Sequence, residues 1–258
     1  MSETSDTPKT KLPSHARVVI IGGGCIGASS LYHLAKAGWT DCVLLEKNEL
    51  TAGSTWHAAG NIPTFSASWG VMNIQRYSTE LYRRLAEEVD YPMNYHVTGS
   101  IRLAHSKERM QEFERVRGMG RYQGLEIDMC SVDDLKQRYP FLETHDLEGG
   151  LFDPYDGDID PAQLCQALAF HARKAGALVY RHTAVTGLTQ RPDHSWIVHT
   201  GKGDIDAEIV QMVAFAQHRD QFGFEFQKRA GRLITMGHFG WPSFLIELNA
   251  CRPCLSII

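Results

Sequence analysis

Five residues near the start of the 258-residue chain could do chemistry through their types and their spacing. Gly22, Gly24 and Gly27 have the spacing G-x-G-x-x-G, and backbone that lacks Cβ atoms can turn tightly and lie against a phosphate. Glu46 follows nineteen residues after Gly27, where a carboxylate can accept hydrogen bonds from the hydroxyls of an adenosine ribose. His57 lies in a loop of small residues and places an imidazole beside whatever binds there. Together these residues indicate a dinucleotide site.

The elements that must position these residues are recognisable on both sides of the glycine turn. An apolar run at 18–21 precedes the turn, a helical pattern at 28–37 follows it, and a second apolar run at 42–45 ends on the acid. Strand, glycine turn, helix, strand and acid form a βαβ dinucleotide-binding unit, in which the positive end of the helix faces the phosphates. The alternative is a glycine-rich turn that binds nothing. The unit does not distinguish NAD from FAD, whereas Glu46 argues against the 2′-phosphate of NADP because the two charges would repel.

Composition predicts a globular protein without a nucleic-acid or membrane partner. Hydrophobic residues make up 43% and charged residues 22%, with a net charge of −4, and no apolar run reaches the length of about 18 residues that a membrane span needs. Residues 1–16 are polar, lack a secretory signal and contain acids that argue against a transit peptide, so we predict a disordered lead-in. Six scattered cysteines are typical of reduced thiols and favour a cytoplasmic location.

The loop around His57 carries a resemblance to a known family. Together with the glycine turn and residues 44–47 (L-L-E-K), residues 53–60 (G-S-T-W-H-A-A-G) resemble the dimethylglycine dehydrogenase and sarcosine dehydrogenase family, which are FAD-dependent amine oxidoreductases of the wider D-amino-acid-oxidase group. The Trp-His pair is the specific element, because the family bonds this histidine covalently to the flavin ring. The resemblance therefore implies a histidyl-FAD link at His57. An ordinary exposed loop histidine is the alternative.

The resemblance also implies FAD contacts for the other residues of the region. They are Cys25 and Ile26 at the pyrophosphate, Glu46 and Lys47 at the ribose, Val185 at the adenine through its backbone, and, along the flavin, Gly53, Ser54, Thr55, Trp56, Ala58, Ala59, Gly60 and Asn61. A hydrophobic anchor is the alternative for Trp56, and a place in a sheet core explains Val185 equally well.

The expected fold is α/β, a Rossmann-like FAD-binding sheet with an inserted, incomplete α+β substrate domain. We assign residues 17–72 and 160–210 to the FAD-binding domain and 73–159 to part of the substrate domain. Helices are predicted at 73–89, 107–122, after Ser131 and at 162–174, and strands at 95–104 (a pair around Gly99), 178–180, 183–188, 196–199 and 205–210, the last two as an antiparallel pair. Residues 211–258 do not match the family, so we expect a truncated chain with weak FAD retention and little activity.

The acid-rich turn at 149–160 favours a structural interpretation over a metal site. Its alternate aspartates have the spacing of a calcium loop, but Pro161 and Ala167 stand where that loop needs Gly and Glu. We therefore predict a hairpin turn, followed by a helix capped by Asp160 with Pro161 in its first turn. Calcium, and a metal or redox role for the C-x-x-C pattern at 251–254, are minor alternatives, and no metal is expected.

The resemblance implies FAD-dependent oxidation, with demethylation, of an N-methylated amine or amino acid such as dimethylglycine or sarcosine. Hydride would pass from the N-methyl carbon to FAD, oxygen or an electron-transfer protein would be the final acceptor, and the reaction would belong to one-carbon metabolism. Catalytic residues are not assigned, because the family's substrate contacts lie mostly beyond residue 210. One alternative is a catalytically silent FAD-binding homologue that acts as a partner, since a regulatory subunit of pyruvate dehydrogenase phosphatase resembles this family. The other is an NAD-linked reductase, against which Trp56 and His57 argue.

Overall fold

The computed structural model describes residues 11–213 and 233–235. Its helices and strands follow in the order β1 (His15–Ile21), α1 (Cys25–Lys36), β2 (Cys42–Leu45), β3 (Asn61–Ile62), α2 (Trp69–Val89), β4 (Tyr95–His96), β5 (Ser100–Ala104), α3 (Lys107–Tyr122), β6 (Asp128–Cys130), α4 (Val132–Arg138), β7 (Gly149–Asp153), β8 (Gly157–Ile159), α5 (Pro161–Lys174), β9 (Leu178–Tyr180), β10 (Val185–Gln190), β11 (Trp196–Thr200), β12 (Gly203–Met212) and β13 (Leu233–Thr235).

A mixed sheet of seven strands is the largest element of this part of the chain. Its order is β10-β11-β12-β1-β2-β9, with β13 paired to β12. Strands β12, β1, β2 and β9 run parallel, and β10, β11 and β12 form an antiparallel meander. The α/β fold is confirmed, and so is the predicted antiparallel pair around residues 201–203.

The two apolar runs of the βαβ unit are buried on both faces, as their composition requires. Val18 and Ile20 of β1 point into a core shared with α1 and α5, whereas Val19 points into a second core against the meander. In β2, Leu44 and Leu45 divide in the same way between the two cores. The alternation of the side chains therefore places the core with the helices on one face of the parallel strands and the core with the meander residues on the other.

Three boundaries differ from those predicted. Strand β1 begins at His15, inside the predicted lead-in, because Ala16 is fully buried and lies opposite Ala207 of β12. Helix α1 begins at Cys25 rather than at 28. Helix α2, which we assigned to the substrate side, buries Leu81 and Leu85 in the core that contains α1 and α5, so its apolar face belongs to the FAD side.

Two small sheets are formed by strands between residues 61 and 159, and they correct two predicted hairpins. One sheet has the order β3-β8-β4 and the other β5-β7-β6. The predicted strand pair at 95–104 is wrong, because β4 pairs with β8 and β5 pairs with β7. The predicted hairpin at 149–160 is wrong for the same reason, since β7 and β8 belong to different sheets. At Gly99, with φ of +70°, the chain turns between the sheets, and the Gly99 N–H donates to the Asp156 carbonyl at 2.8 Å.

Helix starts on this side agree with the sequence. Ser131 and Asp134 form a capping box at α4, and the Asp160 carboxylate accepts from the N–H groups of Ala162 and Gln163 at 2.8 and 3.1 Å. The predicted cap of α5 is therefore confirmed. Within the described residues, no helix has the length and hydropathy to cross a membrane.

The segment predicted not to match the family is described only in part. Strand β12 continues in register with β1 as far as Met212, which lies opposite Ile21. Strand β13, within the same segment, pairs in parallel with β12 and places Leu233 opposite Val210. Residues 1–10, 214–232 and 236–258, including the C-x-x-C pattern, lie outside the described residues.

Candidate functional site

The first and third glycines of the motif are required by the packing of the fold itself. Gly22 has φ of +120°, and a Cβ atom there would lie 2.4 Å from the Val213 carbonyl oxygen. A Cβ atom on Gly27 would lie 2.0 Å from the Gly22 carbonyl oxygen. The turn after β1 is therefore tight and α1 packs closely against it, as predicted, whereas the close approach of Gly22 to Val213 at the end of β12 was not predicted.

The second glycine, Gly24, is the N-cap of α1 and leaves the start of the helix open. Gly24 offers no side chain to cap the helix, and the first turn of the helix contains no acid. The Cys25 N–H donates to the Thr55 hydroxyl oxygen at 3.0 Å, and a Cβ atom on Gly24 would lie 2.9 Å from that oxygen. Because the first turn itself contains no acid, the N–H groups at the positive end of the helix can accept an anionic group.

The Glu46 carboxylate lies beside the glycine turn, at the end of β2. One oxygen accepts from the Gly23 N–H at 2.7 Å and the other from the Asn48 N–H at 2.8 Å. Each carboxylate oxygen can accept a second hydrogen bond, so these contacts fix the carboxylate without using all of its acceptor capacity. The sequence predicted Glu46 as a ribose contact; the structure adds that Glu46 holds the turn.

The small-residue loop packs on the glycine turn through its backbone. Leu50 and Thr51 are buried, and the Thr51 N–H donates to the Gly23 carbonyl at 3.0 Å. The Trp56 N–H donates back to the Thr51 carbonyl at 3.1 Å, which closes the loop on itself. No described atom lies within 4 Å of where a Cβ atom of Gly53 would be, so the loop is open on that side.

The Trp-His pair lies on the exposed surface of this loop. The Trp56 side chain is 69% exposed, and His57 is exposed beside it. The His57 N–H donates to the Ser54 carbonyl at 3.1 Å, which ties its backbone to the loop while the imidazole faces outward. The exposed group also contains Gly53, Ser54, Ala58, Ala59 and Asn61.

The far end of the loop is paired with the acid-rich turn. A Cβ atom on Gly60 would lie 2.2 Å from the Ile159 carbonyl oxygen, so this glycine is required by close packing. Asn61 then lies opposite Asp158, and Ile62 lies opposite Gly157. The loop therefore runs from the glycine turn at one end to the small sheets at the other.

The segment that leads to Val185 is hydrogen-bonded to the backbone of Glu46. The Glu46 N–H donates to the Tyr180 carbonyl, and the Thr183 N–H donates to the Glu46 carbonyl at 2.8 Å. Val185 itself is buried in the core against the meander. The structure thus brings the backbone leading to Val185 next to Glu46, while the Val185 side chain is explained by packing. Lys47 and Ile26 are exposed at the same end of the sheet.

Sequence reasoning missed a second thiol at the glycine turn. The Cys165 thiol donates to the Gly23 carbonyl at 3.5 Å, and the Cys25 thiol donates to the Pro161 carbonyl at the same distance. The neighbouring thiol of Cys165 lowers the pKa of Cys25, the Thr55 hydroxyl also lowers it, and burial opposes both. The pKa of Cys165 is raised, first by its hydrogen bond with Cys25 and then by burial. Nothing in the sequence pairs these cysteines, because only the packing of α1 on α5 brings them together.

Sequence reasoning also missed a buried polar cluster just beyond the loop, formed by Thr64, Asp153 and Asp156. The acid-rich turn was noticed, but a single threonine 92 residues away carries no signal of its own. Within residues 11–213 and 233–235, no three His, Cys, Asp or Glu side chains lie together as a metal site would need.

The arrangement fits a dinucleotide such as FAD. An open helix start follows a turn without side chains, a carboxylate with spare acceptor capacity lies beside it, and a loop of small residues leads away with its outer side free. The helix start suits a pyrophosphate, the carboxylate suits a ribose, and the loop suits a flat ring.

Comparison with known proteins agrees with this geometry. The model of the FAD dependent oxidoreductase family (DAO) matches residues 17–218, so the match extends beyond residue 210, where the resemblance is expected to end. Mitochondrial dimethylglycine dehydrogenase of Rattus norvegicus is 41% identical over 223 residues, which are 86% of this chain and 25% of that protein. Mitochondrial sarcosine dehydrogenase of Homo sapiens is 37% identical over 188 residues, which are 72% of this chain and 20% of that protein.

A solved structure shows the same fold. L-proline dehydrogenase from P. horikoshii superposes with a TM-score of 0.73 at 26% identity, over 80% of this chain and 54% of that chain. The present chain spans a quarter or less of the length of the two curated relatives. Because the family model covers most of the chain, the chain belongs to the DAO family of FAD dependent oxidoreductases.

Proposed function

We propose that this chain binds FAD and takes part in the oxidation of an N-methylated amine or amino acid, such as dimethylglycine or sarcosine. Its membership of an FAD-dependent family and its identity to two dehydrogenases named for such substrates support the proposal. FAD supplies the chemistry, since it can accept a hydride from a carbon next to nitrogen. Oxygen or an electron-transfer protein would reoxidise it.

In this proposal the chain's own residues bind and orient the cofactor. The start of α1, with Cys25, Ile26 and the bare Gly24, holds the pyrophosphate. Glu46 accepts from the ribose hydroxyls with the acceptor positions that Gly23 and Asn48 leave free. The backbone near Val185 lies beside Glu46 and contacts the adenine.

The observation that carries the proposal is the position of His57. The loop that carries His57 is bonded to the glycine turn by Thr51 and Thr55, and it leaves His57 exposed. A flavin lying along this loop would meet that imidazole. We therefore propose a covalent link between His57 and FAD.

The test is an absorbance spectrum of the purified chain before and after acid precipitation. We expect yellow colour to remain with the pellet and the peptide containing His57 to be heavier by one FAD. His57→Ala is expected to release flavin into the supernatant, whereas His145→Ala, which changes a histidine with an 80% exposed side chain outside the loop, is expected to retain it. Flavin released wholly by acid from the unmodified chain would contradict the covalent link.

A bound flavin that stays oxidised with every N-methyl amine would favour the alternative of a catalytically silent partner protein, and a colourless protein that binds NAD would favour a reductase. The cytoplasmic location expected from the thiols is likewise a proposal. The names of both curated relatives specify mitochondria, so fractionation of cells that express the chain is the experiment that decides between the two compartments.

A further inference from the structure

Two buried carboxylates contact one threonine just beyond the small-residue loop at residues 53–60, which we call the flavin-side loop. Asp153 is fully buried at the end of β7, and Asp156 is 3% exposed in the turn before β8. The Thr64 hydroxyl lies 2.6 Å from Asp153 Oδ2 and 3.0 Å from Asp156 Oδ1. The Thr64 N–H also donates to Asp156 Oδ1 at 2.6 Å. Thr64 is itself buried, so water does not replace these contacts.

The Thr64 hydroxyl contacts two carboxylate oxygens but has only one hydrogen to donate, so a second proton is needed to satisfy both contacts. A hydroxyl has one hydrogen to donate, and its remaining contacts must be made as an acceptor. A carboxylate oxygen without a proton can only accept. One of the two short contacts of Thr64 Oγ1 is therefore satisfied only if an aspartic acid donates to it.

The surrounding charges decide which aspartate holds that proton. Asp156 Oδ2 accepts from the Ser100 hydroxyl and from the Arg102 guanidinium at 3.3 Å, so Asp156 is the carboxylate that is paired directly with a cation. Asp153 Oδ1 accepts from the Tyr155 N–H at 3.0 Å. Among the described residues, no cation contacts Asp153 directly; Arg102 acts on it only through space, and Asp156 opposes its ionisation. Tyr95 of β4 is the further titratable group that senses Asp156.

We propose that Asp153, Thr64 and Asp156 form a proton-sharing latch that positions the flavin-side loop on the substrate side. A protonated Asp153 donates to Thr64, and Thr64 donates to the ionised Asp156. Thr64 lies two residues after the end of β3, which begins where the loop ends, and the latch thereby fixes that end of the loop to β5, β7 and β8. The positioning role rests on the proposed binding of FAD; the shared proton does not.

Burial supports the assignment, because it raises the pKa of Asp153 to about 6 from the usual 3.8. A folded-state pKa above the unfolded value gives stability that is complete below about pH 4 and is lost as the pH rises through about 6. Across that window the folding equilibrium is expected to weaken by about 100-fold, since each pKa unit is a factor of about 10 in the equilibrium constant.

The test compares two isosteric substitutions in the 258-residue chain without added FAD. In Asp153→Asn the amide can accept from Tyr155 and donate to Thr64, which imitates the protonated acid at every pH. In Asp156→Asn the same change directs an N–H₂ at Ser100 and the Arg102 cation. We expect D153N to match the unmodified chain near pH 4 and to exceed its folding constant by about 100-fold above pH 6.5, whereas D156N unfolds more readily at every pH.

A pH-independent difference between D153N and the unmodified chain, or equal effects of the two substitutions, would overturn the shared proton. The positioning role is tested by titrating FAD, followed by flavin fluorescence, in a His57→Ala background at pH 5.5 and 7.5. We expect FAD affinity to fall several-fold more with pH when Asp153 is present than in D153N. Equal pH profiles would overturn the positioning role. Failure of every variant to bind FAD would overturn the proposed function and leave the unfolding comparison to decide the proton.

Discussion

The two ends of the loop between Leu50 and Thr64 are attached to the molecule in opposite ways. At the glycine turn, the contacts are single hydrogen bonds from backbone N–H groups, and the side chains around Trp56 are exposed. At the small sheets, a buried threonine is held by two carboxylates, one of which, Asp156, also binds Ser100 and Arg102. The first end keeps donors and acceptors available for a ligand, whereas the second uses them within the protein.

The largest expected difference comes from two glycines of the open end. Gly27→Ala places a Cβ atom 2.0 Å from a backbone oxygen, whereas Gly53→Ala meets no described atom within 4 Å. We expect Gly27→Ala to cost about 3 kcal/mol or more in the free energy of unfolding, because the backbone must move. Gly53→Ala is expected to stay within about 0.5 kcal/mol and to weaken FAD binding instead. Urea unfolding and FAD titration measure the two effects; equal loss of stability would contradict this interpretation.

The same substitution at each end compares the attachments directly. Thr64→Val leaves two buried carboxylates facing a methyl group, and we expect a loss of about 3 kcal/mol in the free energy of unfolding. Thr55→Val removes the acceptor of one backbone N–H that water can reach, and we expect a loss of about 1 kcal/mol. Urea unfolding of both variants at pH 7 gives the comparison. A larger effect at Thr55 than at Thr64 would reverse the order of the two ends.

At the open end, Glu46 is expected to matter for binding. Glu46→Ala removes the hydrogen bonds to the ribose, so FAD affinity in a His57→Ala background is expected to fall by about 1.5–3 kcal/mol. Glu49→Ala is the matched control, because Glu49 is exposed and bonds to Arg181 and His182 rather than to the glycine turn. Unchanged flavin retention on dilution of the Glu46 variant would contradict the ribose contact.

The smallest effect concerns reactivity rather than stability. Because the pKa of Cys25 is lowered by Cys165, while burial raises that of Cys42 to about 11, we expect Cys25 to be alkylated before Cys42 at pH 7.5. Cys165→Ala is expected to slow this labelling, whereas Cys130→Ala, which changes a buried thiol on the substrate side, is expected to leave it unchanged. Peptide mass spectrometry measures the order, and saturation with FAD is expected to protect Cys25.

The sequence predicts well the end of the loop at the glycine turn, because the elements there are built from consecutive residues. Strand, turn, helix and strand alternate with their own periodicities, so the order of elements from β1 to β2 and the roles of Gly22 and Gly27 follow from local pattern. The caps of α4 and α5 were predictable for the same reason.

The latched end was not predictable, because its contacts span long distances in the chain. Thr64 meets Asp153 and Asp156 across 89 and 92 residues, and a threonine in a loop has no distinctive pattern. The predictions of two hairpins were wrong because adjacent short strands normally pair, whereas here the chain passes from one sheet to another at Gly99 and at the turn before Asp156. The aspartates indicate a turn in the sequence, but their contact with Thr64 depends on the tertiary fold.

The Thr64 N–H has a consequence for the timing of hydrogen exchange. This amide belongs to no helix or strand, yet it is buried and donates to a carboxylate at 2.6 Å. An amide exchanges with solvent only when its hydrogen bond opens, so Thr64 is expected to take up deuterium as slowly as the central strands. Amides near Gly53, a few residues earlier, are expected to exchange fast. We therefore expect the backbone near Gly53 to open and close many times in the time that the hydrogen bond of the Thr64 amide opens once.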